Sequence, residues 1–399
     1  MKFIYQSVII ISILIFSQLN AQILTKEDSL SAGLIVSKSA TVLSSYGNVK
    51  YSNNITNGTS STNVDRLILF IGHKFKSNLS FFSELEVEDA KIEGGSSGGE
   101  FAIEQAFIKF DINRNNYISA GLIIPRIGII NENHLPNTFN GNDRPYVEKY
   151  IIPATWREVG IGYYGYSNKI VGLNYSLAAL NGLNSEGFTS EEGIREGRYE
   201  GSDANANTLA LTGSLLYYRH NLRTQFSVYF GGSNTLSKGF SDSVGLSKGV
   251  FGAPVQLYEY DIQYKWRGLQ FKGLVSFINI SDADKINAGY NNNIAENMLG
   301  FYGELGYNIT HKKQKAFILF TRYENIDMTK KINVNSDYNP AINLQYLVSG
   351  ITYMPHPGVS LKLDYTHKMT GSLNGNLVDP SNPYKRTNES INLGIGYSF

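Results

Sequence analysis

Large apolar or aromatic side chains fall on every second residue through much of this chain. Leu222, Thr224, Phe226, Val228 and Phe230 alternate with Arg223, Gln225, Ser227 and Tyr229. Tyr258, Tyr260, Ile262, Tyr264 and Trp266 alternate with Glu259, Asp261, Gln263 and Lys265. Leu361, Leu363 and Tyr365 alternate with Ser360, Lys362 and Asp364, and Leu79, Phe81, Leu85 and Val87 share a run with Glu84, Glu86 and Glu88. A period of two is that of a β-strand, with one face in an apolar medium and the other in a polar one. A one-residue slip would turn each charged set toward the apolar side, so register is strongly fixed.

The pattern predicts strands over 46–53, 63–76, 79–92, 100–112, 117–125, 156–166, 170–180, 208–219, 222–232, 255–266, 269–280, 297–309, 315–325, 343–354, 359–368 and 388–399. The connections carry a second signal. Short turns near 76–79, 113–116, 167–169, 220–221, 267–268, 310–314 and 355–358 alternate with long loops after Asn53, Ile92, Pro125, Leu180, Gly232, Ile280, Asn325 and Lys368. That rhythm is expected of an all-β, transmembrane antiparallel barrel of about 16 strands, with short periplasmic turns and long extracellular loops. Charged faces of this kind suit a water-filled interior, whereas a soluble sandwich would press them into its core.

The last run, ESINLGIGYSF, alternates to its end at Phe399. It resembles the closing strand of bacterial outer-membrane barrels, in which a final aromatic serves as the signal to the barrel-assembly machinery. At the other end, Lys2 precedes an apolar stretch from Val8 to Phe16, and Ala21 stands at a plausible cleavage point. Residues 1–21 therefore read as a secretory signal peptide, too short for a spanning helix; the alternative is an uncleaved anchor. Residues 22–45 read as a periplasmic extension, a short plug or an extra strand, and 46–399 as the barrel domain.

Composition narrows the picture further. The chain has no cysteine, so neither disulfides nor an acylated N-terminal cysteine contribute. The formal charge of +1 gives no footing for nucleic acid. The 27 tyrosines and 21 phenylalanines suit an aromatic girdle at a lipid interface. The partners expected are outer-membrane lipid and small hydrophilic solutes or ions, with no cofactor.

The third outer loop reads RIGIINENHLPNTFNGNDRPYVEKYIIPAT, with Pro136, Pro145 and Pro153 marking it as a shaped loop. The strings LILFIGHKFKSNLSFFSELEVEDA, EQAFIKFDINRNNYISAGLIIPRIGIINENH and RPYVEKYIIPATWREVGIGYYG resemble the phosphate-selective porin O and P superfamily, in a branch typical of Bacteroidetes. The resemblance covers roughly 64–180 and implies a sixteen-stranded, trimeric channel whose third loop folds into the lumen.

The resemblance does not carry phosphate selectivity with it. The expected lining mixes Lys109, Arg223, Lys265, Arg322 and Lys362 with Glu84, Glu86, Glu88, Glu259, Asp261, Glu324 and Asp364. The expected constriction sets Arg126, Arg144, Lys149 and Arg157 against Glu132 and Glu148. Neither sign dominates, and no ring of like charge is evident. Those constriction charges either set up a transverse field or pin the loop to the wall.

Trp156 reads as a loop anchor or girdle residue before a sugar platform. Glu84, Glu86 and Glu88 read as one wet wall before a Ca²⁺ site, and the histidines show no metal spacing. The function expected is passive diffusion of small hydrophilic solutes. The alternatives are an anion- or phosphate-selective channel, a phospholipase-like barrel enzyme, or a closed structural or adhesion barrel. No G-x-S-x-G elbow supports the enzyme, and no catalytic residue is proposed.

Overall fold

The computed structural model describes residues 40–89, 99–310, 315–332, 340–371 and 385–399. The expected signal peptide, most of residues 22–45 and the Gly-Ser loop tip at 94–98 lie outside the described residues. Sixteen antiparallel strands form one closed barrel in which each strand pairs with its neighbours in sequence. They are β1 (Ala40–Asn54), β2 (Thr59–Lys76), β3 (Leu79–Glu88), β4 (Glu100–Asp111), β5 (Asn116–Ile123), β6 (Glu158–Tyr166), β7 (Leu173–Asn181) and β8 (Leu209–Arg219). The second half comprises β9 (Leu222–Gly231), β10 (Val255–Trp266), β11 (Leu269–Ile280), β12 (Asn297–Asn308), β13 (Ala316–Lys331), β14 (Leu344–His356), β15 (Val359–Thr370) and β16 (Thr387–Ser398). Closure is made by β1 on β16, from Tyr46↔Ser398 to Asn54↔Ser390, and Phe399 pairs its backbone with Ser45. A closed sheet leaves no bare edge.

The alternation read from the sequence sets the facing of the walls. Phe226, Tyr258, Tyr260, Leu361, Leu363 and Leu393 point outward and are exposed, while Arg223, Gln225, Glu259, Asp261, Ser360, Lys362 and Asp364 point inward and are buried. Turn chemistry agrees at one end. Between β10 and β11 a two-residue turn places both Arg267 and Gly268 at positive φ, the geometry that matches the twist of a tight hairpin.

The strand ends differ from expectation in three places. Ala40 to Ser45 belong to β1, paired with β2, and are not a separate extension. The expected long loop after Asn53 is a tight hairpin, because β1 and β2 stay paired up to Asn54↔Thr59. β13 continues to Lys331 and does not stop near Asn325. The added outer ends TSST of β2 and IDMTKK of β13 carry no apolar outward face, and strands standing clear of lipid need none, so alternation could not mark them.

The interior is not an empty tube. The 124–157 connection turns inward and carries a short helix, α1 (Tyr146–Tyr150). Its Ile127, Val147, Ile151, Ile152 and Trp156 join inward residues such as Tyr229, Leu274, Tyr302 and Phe320 in one buried apolar cluster. Helices α2 (Lys238–Val244) and α3 (Ala283–Tyr290) from later long loops contribute to the same cluster. Two glycines of β16 make the inward fold possible: a Cβ at Gly394 would collide with Asn142, and one at Gly396 with Pro136.

Candidate functional site

Most of the inward charges hold the third long loop. Arg322 is fully buried, with Nε 2.8 Å from Glu324 and Nη1 3.2 Å from Glu304. It also donates to the carbonyls of Asn140 and Asp143, each at 3.2 Å. Glu324 in turn accepts the Val147 amide at 2.9 Å. Asp364 accepts from the Asn142 backbone and side-chain amides at 2.7 and 2.6 Å, and Lys362 donates to the Gly141 carbonyl at 2.7 Å. Arg223 bridges Glu132 of the loop and Asp261 of β10, and Glu259 is bound by Ser227 at 2.5 Å. These strand residues were expected to line a wet lumen. They are buried because the loop lies on them.

The six residues expected at a constriction do not form one ring. Glu132 is tied to Arg223. Glu148 is fully buried inside the loop, accepting from the amides of Ile129 and Ile130 at 2.9 and 2.6 Å and from the Tyr302 hydroxyl at 2.9 Å. Burial pushes its carboxyl up to about 7 against the pull of those donors. Lys149 is exposed over the ring of Tyr150. Arg126 lies toward the short-turn end, while Arg144 and Arg157 lie toward the long-loop end. Lys265 faces the expected side but sits exposed beside the β10–β11 turn. Trp156 is fully buried against Tyr229, with ring centroids 4.6 Å apart, and so is an internal anchor and not a girdle residue.

Open space remains along the β2–β6 wall. Toward the long loops lies a cavity of about 680 Å³, bordered by Glu86 and Glu88 of β3, Glu100 of β4, and Arg144 and Arg157. Toward the short turns lies a smaller one of about 50 Å³, bordered by Phe82, Gln105, Lys109, Tyr117, Arg126 and Tyr164. In the smaller cavity Arg126 sits over Tyr164, 4.7 Å from the ring centroid, and donates to Tyr117 at 2.8 Å, while Lys109 lies over Tyr117.

Position along the strands places a neck between the two. On β3, Glu88 and Glu86 border the outer cavity, Glu84 follows, and Phe82 borders the inner one. On β4, Glu100 and Ala102 border the outer cavity, Glu104 follows, and Gln105 borders the inner one. Glu104 is the extra residue of a β-bulge: Glu84 pairs with Gln105 and Leu85 with Ile103. A bulge turns two successive side chains to one face, so Glu104 and Gln105 both point inward.

His134 of the third loop enters this neck. Its Nε2 lies 2.7 Å from the Tyr46 hydroxyl, 3.5 Å from Glu104 and 3.7 Å from Glu84. Glu104 also accepts from Arg66 at 2.6 Å and Thr155 at 2.7 Å, and Glu84 accepts from Gln105 at 2.8 Å. Burial alone lowers the imidazole pKa, but Glu104 and Glu84 outweigh it and hold His134 up at about 9. The ligand atoms of Glu84, Glu104 and His134 all lie within 4.8 Å of one another, a set that could also hold a divalent cation. The sequence reading missed Tyr46, Arg66, Glu104 and His134. One local signal existed, the adjacent polar pair Glu104–Gln105 that breaks the alternation of AIEQAF.

The comparisons accord with this architecture. No protein-family model matches the chain. An uncharacterized protein of Aquifex aeolicus (strain VF5) is 31% identical over 345 residues, 83% of this chain and 76% of that protein. Among solved structures, the outer membrane channel DcaP of Acinetobacter baumannii aligns at a TM-score of 0.56 with 13% identity, over 90% of this chain and 97% of its own. Salmonella typhi OmpF, in complex with daunomycin, aligns at 0.56 with 14% identity, over 91% of this chain and 98% of its own. At such low identity these two show the fold alone, that of outer-membrane porins. The chain belongs to the same family as the Aquifex aeolicus protein, and that family has a porin-like β-barrel fold.

Proposed function

We propose that this protein is an outer-membrane porin conducting small hydrophilic solutes and ions passively along the β2–β6 wall. The observation that carries this reading is the succession of outer cavity, polar neck and inner cavity along that wall, beside a third loop packed on the inward side chains. Glu84, Glu104, His134 and Tyr46 form the filter of that path. Both signs of charge line it, so selectivity between simple anions and cations is weak. No bond is made or broken and no catalytic residue is assigned. The finer placement, a homotrimeric member of the phosphate-selective porin O and P superfamily with its short turns in the periplasm, is supported by the motifs around 64–180. Phosphate specificity is not part of the proposal.

Planar-bilayer recording tests it. Stepwise, ohmic conductance is expected, with a reversal potential near zero in a salt gradient. Silence at high protein load would favour a closed structural barrel, and phospholipid hydrolysis by the purified chain would favour an enzyme.

The membrane placement has its own test. Leu363, near the middle of β15, is 41% exposed on the outward face. Leu363→Arg should cost about 2–4 kcal/mol of stability in lipid vesicles, measured by urea titration. The inward neighbour Asp364 contacts the loop, and lipid depth has no bearing on its replacement. A neutral result at Leu363 would place that face in water.

A further inference from the structure

The outer cavity holds both signs of charge in equal number. Five arginines and five glutamates line it, so it offers no net attraction to a simple ion of either sign. The signs are partly segregated, although Glu196 and Glu200 share the long loop that carries Arg195 and Arg198. Glu86, Glu88 and Glu100 stand on the strand wall of β3 and β4, with Arg66 as their one basic neighbour on β2. Arg144, Arg157, Arg195 and Arg198 come from the third loop, the start of β6 and the following long loop.

The basic wall has donors to spare. Arg157 and Arg198 share the single carboxylate of Glu200, at 2.5 and 2.7 Å. Arg195 donates to the Ala154 carbonyl at 3.0 Å, and no carboxylate meets it among the described residues. The Nε of Arg157, on a side chain more than nine-tenths buried, has no hydrogen-bond partner, and neither has one Nη2 of Arg144. Guanidinium groups with a buried donor unspent in this way still carry hydrogen-bonding capacity that suits a planar carboxylate.

The acidic wall is only partly matched in turn, Glu86 being paired with Arg66. Glu88 and Glu100 face each other directly across the β3–β4 ladder, and among the described residues neither is in an ion pair. Like charges opposed across strands repel unless a cation lies between them. A cavity of about 680 Å³ falls within the range of small-molecule sites.

We infer that the outer cavity selects zwitterionic solutes of the amino-acid and short-peptide class, the carboxylate meeting Arg144 and Arg157 and the ammonium meeting Glu88 and Glu100. A dipolar solute satisfies both walls at once, which neither phosphate nor a simple cation does. This deepens the porin reading by giving its solute class, and its role in uptake rests on that reading.

Isothermal titration of the detergent-purified chain with glycylglycine tests the site apart from conduction. Saturable binding is expected, weakened at least ~10-fold by N-acetylation or by C-terminal amidation, since each removes one charged contact. Arg144→Gln and Glu100→Gln, both outside the buried core, should each give a similar loss, with circular dichroism confirming the fold. In bilayers, glycylglycine should reduce the salt current with the same concentration dependence. Absent binding, or inorganic phosphate binding as tightly and unaffected by Glu100→Gln, would overturn the inference. Salt conductance without dipeptide binding would sink this site and leave the porin reading intact; dipeptide binding without conductance would do the reverse.

Discussion

Arg322→Ala should detach the third loop from the β12–β13 wall and raise single-channel conductance. Arg322 is fully buried and is shared by Glu304, Glu324 and two loop carbonyls. Removing it strands two buried carboxylates and two acceptors together. Breaking a buried pair by deleting one partner costs about 3–5 kcal/mol, most of it from the charge left behind. The loop segment from Asn140 to Val147 is held on this wall through Arg322 and through Glu324, and so it is the part released. The expected result is a larger, noisier unit conductance and new protease cleavage within 136–152. A companion variant separates charge from anchorage. Replacing Arg322, Glu304 and Glu324 together with apolar residues should recover much of the stability while the loop carbonyls stay without donors. Unchanged conductance in Arg322→Ala would show that the loop is held by its apolar contacts alone.

Alkaline pH should open the neck. His134 stands near pH 9 in the folded chain against an ordinary value of 6.5, because Glu104 and Glu84 outweigh the cost of burial. A histidine raised in this way contributes its full stabilisation below about pH 6.5 and loses it as pH climbs through about 9. Loss of the proton removes the attraction to both carboxylates and leaves Tyr46 as the remaining close contact. Conductance should therefore be flat from mildly acidic to neutral pH and rise with a midpoint near 9. His134→Ala should show the high value throughout, with no inflection. A flat wild-type profile through roughly one unit either side of 9 would mean that the latch does not depend on an imidazolium. The competing use of the same atoms, a bound divalent cation, would appear instead as closure on adding zinc and reopening with chelator.

The value of the alternation signal depends on where a strand lies. Alternation by itself puts Phe226, Tyr260 and Leu363 outward and Arg223, Asp261 and Asp364 inward, as they are in the fold, because lipid on one side forces a strict period of two. Beyond the lipid the constraint lapses, and the outer ends of β2 and β13 carry no apolar outward face that separates them from loop. The charge inventory failed in a different way. Lys362, Arg322 and Glu324 were correctly aimed at the interior, but their partners are loop carbonyls and amides that carry no mark in the sequence. Of the four residues for which salt bridging or a transverse field was open, Arg126 pairs with Glu132 and Arg157 with Glu200, while Arg223 and Arg322 tie the loop to the strands.

Side-chain periodicity and loop rhythm are local properties, so the chain's order alone determined a barrel, its strand number and the facing of its strands, while the inward bend of the third loop was implied only by the family resemblance. The neck and the charge-divided outer cavity were decided only on folding. Tyr46, Arg66, Glu104 and His134 come from four separate segments, and a bulge that exists only against its partner strand aims Glu104 among them. Arg144, Arg157 and Glu200 likewise meet because a loop turns into a closed cylinder. Contacts of that kind are fixed by the shape of the enclosure, and no spacing along the chain encodes them.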